Sequence, residues 1–254
     1  MQPRLNIALK ACRLASDLIL KIYKSKDQDD LRSYSNIGAL IYKHLIEIIN
    51  ESYPLGVDDF LGPTHINSES IDKKYNVTDL NIEDKFVWII NPLDSYENFY
   101  NKLPLFNTTI TIFRNSVAEA ALIYNPVEDI LITSIKGEGA LFENRKIRNR
   151  SKSQEKILYV IDDKKIQYNL ENIILGKPRF IGSKSTELVY LAEGKLDLVI
   201  YPHVDIWDSA AGSMICKESG LIVTALNGKD EMFKNKSIIS AKDWLHQKIL
   251  HELN

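Results

Sequence analysis

Two short stretches of this chain carry residues that could do chemistry. In the first, the apolar run Phe86-Val87-Trp88-Ile89-Ile90 ends in Asn91-Pro92-Leu93-Asp94 and is followed by Ser95-Tyr96-Glu97-Asn98-Phe99. A buried strand that ends this way, with a helix starting just beyond, sets side-chain oxygens at its carboxyl end, where helix amides suit a phosphate and its cation. In the second, Asp205-Ile206-Trp207-Asp208-Ser209-Ala210-Ala211-Gly212 puts a carboxylate in the first turn of a helix made of small residues. Small residues there permit close approach of another element or a ligand. Each stretch also has a plainer reading, since Asn-Pro starts turns, Asp94 or Ser95 caps a helix, and the second stretch suits a capped helix packed on a sheet. Read singly, either stretch is explained by that.

The elements that must position these residues follow from periodicity. Leu5, Ala8, Leu9, Cys12, Ala15, Ile19 and Ile22 recur at helical spacing and predict a helix from about Leu5 to Tyr23. A second is expected after Ser35 as N-cap, with Ile37, Ile41, Leu45, Ile48 and Ile49 on one face until Tyr53-Pro54. The period then changes. Phe86 to Ile90, Asn107 to Phe113, Val117 to Tyr124 and Ile130 to Ile135 are short β-branched and aromatic runs separated by turn residues, which predicts a mainly antiparallel sheet against the helix pair. The charged segment Glu143 to Glu155 suggests a boundary dividing the chain into 1–145 and 146–254. The second part alternates: strand Ile157 to Ile161, a helical stretch to Ile174, a strand-like Arg179 to Gly182 and a helix ending at Gly194. Strand Leu196 to Tyr201, helix Trp207 to Ser219, strand Leu221 to Ala225 and helix Lys242 to Leu253 complete an α/β pattern.

Composition limits the function. At 254 residues the chain can bury roughly 75% of its extended surface. A formal net charge of −2 with interspersed signs gives no basic face, so no nucleic-acid partner is expected. Cys12 and Cys216 lie far apart in apolar helical patterns, the mark of buried free thiols in a reducing compartment. The N-terminal segment reads as a surface helix and not a signal peptide, and no run reaches the roughly 20 apolar residues of a membrane span, so a cytoplasmic location is expected.

Taken together, in this order and spacing, the two stretches resemble the paired signatures of the inositol monophosphatase-like family of Mg²⁺-dependent phosphatases. There the first reads Asp-Pro-hydrophobic-Asp-Gly-Thr followed by Asn-Phe, and the second Trp-Asp-x-Ala-Ala-Gly. Phe60-Leu61-Gly62 resembles the segment before the family's Glu-Glu, and Gly182-Ser183 followed by Leu188 to Gly194 and Leu196-Asp197 resembles its Gly-Ser helix and strand. The resemblance covers most of the chain. It implies a layered α-β-α-β-α sugar-phosphatase fold, N-terminal helices on a mainly antiparallel sheet followed by an α/β half, and a homodimer. It implies carboxylates holding Mg²⁺, which neutralises a phosphate ester and activates water. By position it makes Asp94 and Asp208 metal carboxylates, the Leu93 carbonyl a further ligand, and Ser95, Tyr96, Gly182, Ser183 and Tyr201 the surroundings of a phosphorylated small molecule.

The sequence departs from the family where the chemistry is densest. Asn91 stands for the first aspartate; its amide oxygen can ligate a cation but brings no charge. Pro63-Thr64 stands for Glu-Glu, Ser95-Tyr96 for Gly-Thr, and Tyr201 for a glutamate, while the earlier acidic position falls near Asn36. With Asp94, Asp208 and Asn91 as the remaining catalytic set, a single weak Mg²⁺ or none is expected. Phosphate-monoester hydrolysis needs very large transition-state stabilisation, so activity is expected to be weak or absent. Asp58, Asp59, Glu69 and Asp205 are nearby carboxylates and the candidates to stand in, His65 and His203 could point to Zn²⁺, and Lys184 to a phosphate or simply to solvent. Two readings result: a binding protein with a degraded metal site, recognising a phosphorylated small molecule or a protein; or a working phosphomonoesterase for an inositol phosphate, a sugar phosphate or 3′-phosphoadenosine 5′-phosphate with an altered ligand set.

Overall fold

A computed structural model of the chain describes residues 1–25, 34–63, 85–149, 156–171 and 174–253. Thr64, His65 and Glu69 lie outside the described residues. Two amphipathic helices come first, α1 (Gln2–Lys24) and α2 (Tyr34–Asn50). Ser35 thus lies within α2 and is not its N-cap. Seven strands follow: β1 (Asp59–Leu61), β2 (Phe86–Asp94), β3 (Asn107–Arg114), β4 (Val117–Asn125), β5 (Ile130–Ile135), β6 (Gly139–Phe142) and β7 (Arg145–Lys146), with the short helix α3 (Tyr96–Tyr100) after β2. They form one sheet in sequence order, β1 parallel to β2 and the rest antiparallel. The position 145/146 falls inside β7, and Ile147 still donates to the Ala140 carbonyl.

The remaining chain gives β8 (Ile157–Ile161), α4 (Lys164–Leu170), β9 (Gly176–Pro178), α5 (Lys184–Ala192), β10 (Leu198–Tyr201), α6 (Ile206–Glu218), β11 (Ile222–Thr224), α7 (Met232–Asn235), β12 (Ile238–Ala241) and α8 (Asp243–Leu253). Its sheet runs β11-β12-β10-β8-β9. Two expectations are corrected here. The strand-like Arg179 to Gly182 is irregular backbone just past β9, and β12 is a central strand that the sequence reading left out.

Among the described residues three larger cores, with a smaller fourth where β1–β3 meet the start of α6, stack these elements into five layers. The first joins α1 and α2 to one face of the seven-stranded sheet; the second fills the space between the sheets with α5 and α6; the third sets α8 under the five-stranded sheet. The layered α-β-α-β-α architecture is as expected. Close packing at the middle layer depends on Gly212 of α6. A Cβ there would come within 2.6 Å of Leu188 Cβ on α5, too close for any real side chain. Both cysteines are free and buried, and burial pushes the Cys216 thiol up to about 12. Among the described residues no helix is long and apolar enough to cross a membrane.

Candidate functional site

The end of β2 and the starts of α5 and α6 meet at a cleft of about 260 Å³. Asn91, Leu93, Asp94, Ser95, Tyr96, Gly182 and Asp208 all line it, so most residues singled out from the sequence are brought together. Strand β2 continues in register with β3 to Asn91, shifts, and pairs again at Asp94. Pro92 cannot donate to the ladder, which accounts for the break there. Its carbonyl instead accepts from Thr108 Oγ1 at 2.9 Å, tying the turn to β3.

Asn91 is buried and its amide is used at both ends. Its Oδ1 accepts from the Leu93 N–H at 3.2 Å, and its Nδ2 donates to Asp208 Oδ1 at 2.8 Å. The two partners fix the orientation of the amide, because a flip would set its oxygen against a carboxylate. Asn91 therefore turns an N–H, and not an oxygen, toward Asp208. Burial first, then the charge of Asp94, pushes the Asp208 carboxyl up to about 7, against the opposing pull of Lys184 and of the Asn91 hydrogen bond.

Asp94 is also buried, and three donors converge on its Oδ2: Ser183 Oγ at 2.7 Å, the Ser185 N–H at 2.9 Å and Ser185 Oγ. These come from the first turn of α5, so Asp94 supplies the negative charge that a helix N-terminus favours. Ser183 completes the cap by accepting from the Thr186 N–H at 3.2 Å. Ser183 itself sits behind the cleft wall, and Asn107 of β3 braces the group by donating to Ser185 Oγ at 2.7 Å and Thr186 Oγ1 at 2.8 Å.

Ser95 occupies the left-handed region at φ 73°, which a glycine adopts without cost, and its Oγ caps α3 by accepting from Asn98 N–H at 3.4 Å. Tyr96 begins α3 and stacks on Phe99, with centroids 6.4 Å apart. Phe99 is core, and Tyr100 is exposed.

Tyr201 is fully buried and does not line the cleft itself. Its hydroxyl donates to Glu187 Oε2, and both residues line a smaller cavity of about 110 Å³ that shares Gly182 and Lys184 with the cleft. Glu187 Oε1 accepts from the N–H groups of Ile181 (2.8 Å) and Gly182 (3.3 Å), while Asn98 Nδ2 donates to the Ile181 carbonyl at 2.9 Å. The Ile181-Gly182 peptide is thus gripped from both sides. Burial, followed by the neighbouring Glu187 charge, raises the Tyr201 phenol, and burial raises the Glu187 carboxyl. Glu187, Asn107 and Ser185 were not singled out from the sequence; the one available signal was the Ser-x-x-Thr-Glu start of a helix after Gly182.

The other carboxylates are engaged elsewhere. Asp58 accepts two hydrogen bonds from Arg4, at 3.0 and 3.1 Å, and one from Trp88 Nε1 at 2.8 Å. Asp59 faces Lys85 at 3.6 Å. Asp205 does line the cleft, with Lys236 at 3.1 Å. His203 is exposed and outside the cleft wall. The ladder of β1 on β2 ends where Leu61 pairs with Ile89, and Pro63, two residues on, is buried but is not among the residues lining the cleft. Gly62 fits there because a Cβ would meet the Tyr42 ring and come within 3.1 Å of the Ile90 carbonyl. Among the described residues no three His, Cys, Asp or Glu side chains group closely enough to hold a metal ion.

The chain is 28% identical over 276 aligned positions to the Nus factor SuhB of Pasteurella multocida, covering 100% of this chain and 96% of that one. A crystal structure of the extragenic suppressor protein SuhB from Bartonella henselae superposes with TM-score 0.75 at 25% identity, over 98% of this chain and 97% of the other. Inositol monophosphatase II from Staphylococcus aureus superposes with TM-score 0.83 at 21% identity, over 98% and 95%. The family model described as the inositol monophosphatase family matches residues 1–254, and the chain belongs to that family.

Proposed function

We propose that this protein works by binding and not by turnover, its metal site too poor to run the family's phosphatase reaction. The observation that carries the reading is the Asn91 Nδ2 to Asp208 Oδ1 hydrogen bond at 2.8 Å. An asparagine paired with Asp208 brings no negative charge to the cleft, whereas a pair of cations needs more than the two carboxylates Asp94 and Asp208 to neutralise it. Two placements add to it. Asp94 Oδ2 already accepts three hydrogen bonds from α5, and the Pro63 side chain brings neither charge nor ligand atom. The residues present do not fit a multi-cation Mg²⁺ cluster. Asp94 and Asp208 would hold at most one weakly bound ion, which leaves water activation without its anchor.

The binding partner we favour is a protein. The Pasteurella multocida relative is named a Nus factor, a factor's name and not an esterase's. A phosphate monoester would meet four carboxylates on the cleft wall, Asp94, Glu97, Asp205 and Asp208, which makes a phosphorylated small molecule the weaker candidate. We further propose that the protein is a homodimer. The test is turnover of a panel of phosphate monoesters in saturating Mg²⁺, with Asp94→Asn as control. The reading expects rates far below about 1 s⁻¹, the lower end of ordinary enzymes, and unchanged by the substitution. Robust turnover lost in Asp94→Asn contradicts it.

A further inference from the structure

We infer that the chain has a second binding site, a cavity beside the later turns of α6, which takes an uncharged aromatic or fused-ring molecule carrying one hydrogen-bonding atom. The site goes beyond the proposed function and does not depend on it, since none of its residues lines the cleft. The first turn of α6 gives Trp207 and Asp208 to the cleft. Ala210, Ser213, Met214 and Lys217, at spacings of three and four along the same helix, line instead a cavity of about 470 Å³ that is also bounded by the β3–β4 turn and α7. That volume falls in the range of small-molecule sites, roughly 300–1,000 Å³.

Three features of the wall set the class of ligand. The first is an apolar, adaptable surface. Phe113 and Phe233 meet edge to face with centroids 5.7 Å apart, in the company of Met214 and Met232, the two methionines of the chain other than Met1. Flexible, polarisable methionine next to aromatic rings accommodates flat unsaturated molecules. The second feature is a hydroxyl without a partner. Ser213 is 1% exposed, and its Oγ makes no hydrogen bond among the described residues. The neighbouring serines differ: Ser209 donates to the Asp205 carbonyl and Ser219 to the Cys216 carbonyl, each at 2.8 Å. Ser213 makes no such bond to its own helix, so a buried polar atom stays unanswered at the wall, a cost that a ligand atom would offset. The third feature is charge. Lys136, Lys217 and Lys234 on the rim face Glu218, Asp230 and Glu231, which offers no net charge to a ligand. Lys217 meets Asp230 at 2.6 Å, Lys136 meets Glu119 at 3.6 Å, and Glu218 accepts from the Gly137 and Gly139 N–H groups at 2.9 Å each. Most of the rim charge is thus engaged within the chain, and a neutral ligand suits it best.

The full chain, labelled with ¹³C at the methionine methyls and titrated with 2-naphthol, a neutral fused-ring molecule with one hydroxyl, tests this by NMR. The parent is expected to show saturable shifts of the Met214 and Met232 signals, assigned with Met214→Leu and Met232→Leu, while Met1 stays unmoved. Ser213→Ala deletes only the unpartnered hydroxyl. It is expected to melt no lower than the parent and to bind 2-naphthol about 2- to 10-fold more weakly. The anion 2-naphthoate, with the same rings, is expected to bind more weakly than 2-naphthol. Shifts that do not saturate, or that move Met1 equally, overturn the inference. So does equal affinity in parent and Ser213→Ala, tighter binding of 2-naphthoate, or a lower melting temperature in Ser213→Ala, which would show that the hydroxyl is already answered. Should Ser213→Ala fail to fold, that last outcome is met and the inference falls.

Discussion

Asp208→Asn should make the metal-free protein more stable, by an amount that depends on pH. The Asp208 carboxyl is pushed from an ordinary 3.8 up to about 7, first by burial and then by Asp94. Its proton is held more tightly in the folded state than in the unfolded one, so the charged form is a cost to folding. That cost is absent below about pH 3.8, grows as pH rises toward 7, and is constant above it. About three pKa units at 1.36 kcal/mol each put it near 4 kcal/mol at pH 8. Asparagine removes the charge and keeps an oxygen to accept from Asn91 Nδ2, so the 2.8 Å contact survives. Urea unfolding of parent and variant in EDTA, at intervals from pH 4.5 to 8.5, should give curves only about 1 kcal/mol apart at the acid end. They should separate by about 1.4 kcal/mol per pH unit up to neutrality and run parallel above. A difference that is flat across this range, or a variant less stable than the parent at pH 8, would refute the electrostatic reading of the cleft.

Three further outcomes follow from named contacts. Tyr201→Phe should cost about 1–3 kcal/mol by chemical denaturation, because it leaves the buried Glu187 short of one donor; an unchanged midpoint would mean the hydroxyl is not needed there. Ser95→Gly should stabilise by up to about 1 kcal/mol, the relief of φ 73° exceeding the loss of a 3.4 Å cap bond and the added chain entropy; a loss of stability would show that the cap outweighs the strain. The triple variant Pro63→Glu, Asn91→Asp and Tyr96→Thr should gain thermal stability from Mg²⁺ that the parent does not, each change alone doing little, since groups acting as a unit are non-additive; a folded triple variant indifferent to Mg²⁺ would mean that the cleft has diverged beyond these positions.

Much of the fold was legible because its signals are local. The apolar runs of β5 and β8 were placed residue for residue, and the helical spacing from Leu5 to Ile22 found α1. What escaped depends on distant partners. Strand β12 is four residues long between Ser237 and Lys242, too short for periodicity, and it is a strand because β10 and β11 pair on either side of it. Phe180-Ile181 is apolar like a strand, yet the hydrogen bonds that hold Ile181 and Gly182 go to the side chains of Asn98 and Glu187 and not to a neighbouring strand. At the site, Asp94, Asp208 and Asn91 could be named from motif positions. Their hydrogen-bonding could not, because the Asn91 to Asp208 and Ser183 to Asp94 contacts join residues far apart in the chain. Lys184 reads from sequence as an exposed lysine; only the cleft geometry gives it anionic company.

The most direct test of a protein that binds without turning over is a calorimetric titration of the purified chain with Mg²⁺ at pH 8, where Asp208 is ionised. At most one saturable site is predicted, with a dissociation constant of about 1 mM or weaker, as two carboxylates and a neutral amide supply too little charge for a pair of cations. Two or three saturable sites in the micromolar range would contradict the account and restore this cleft to the metal-dependent phosphatases.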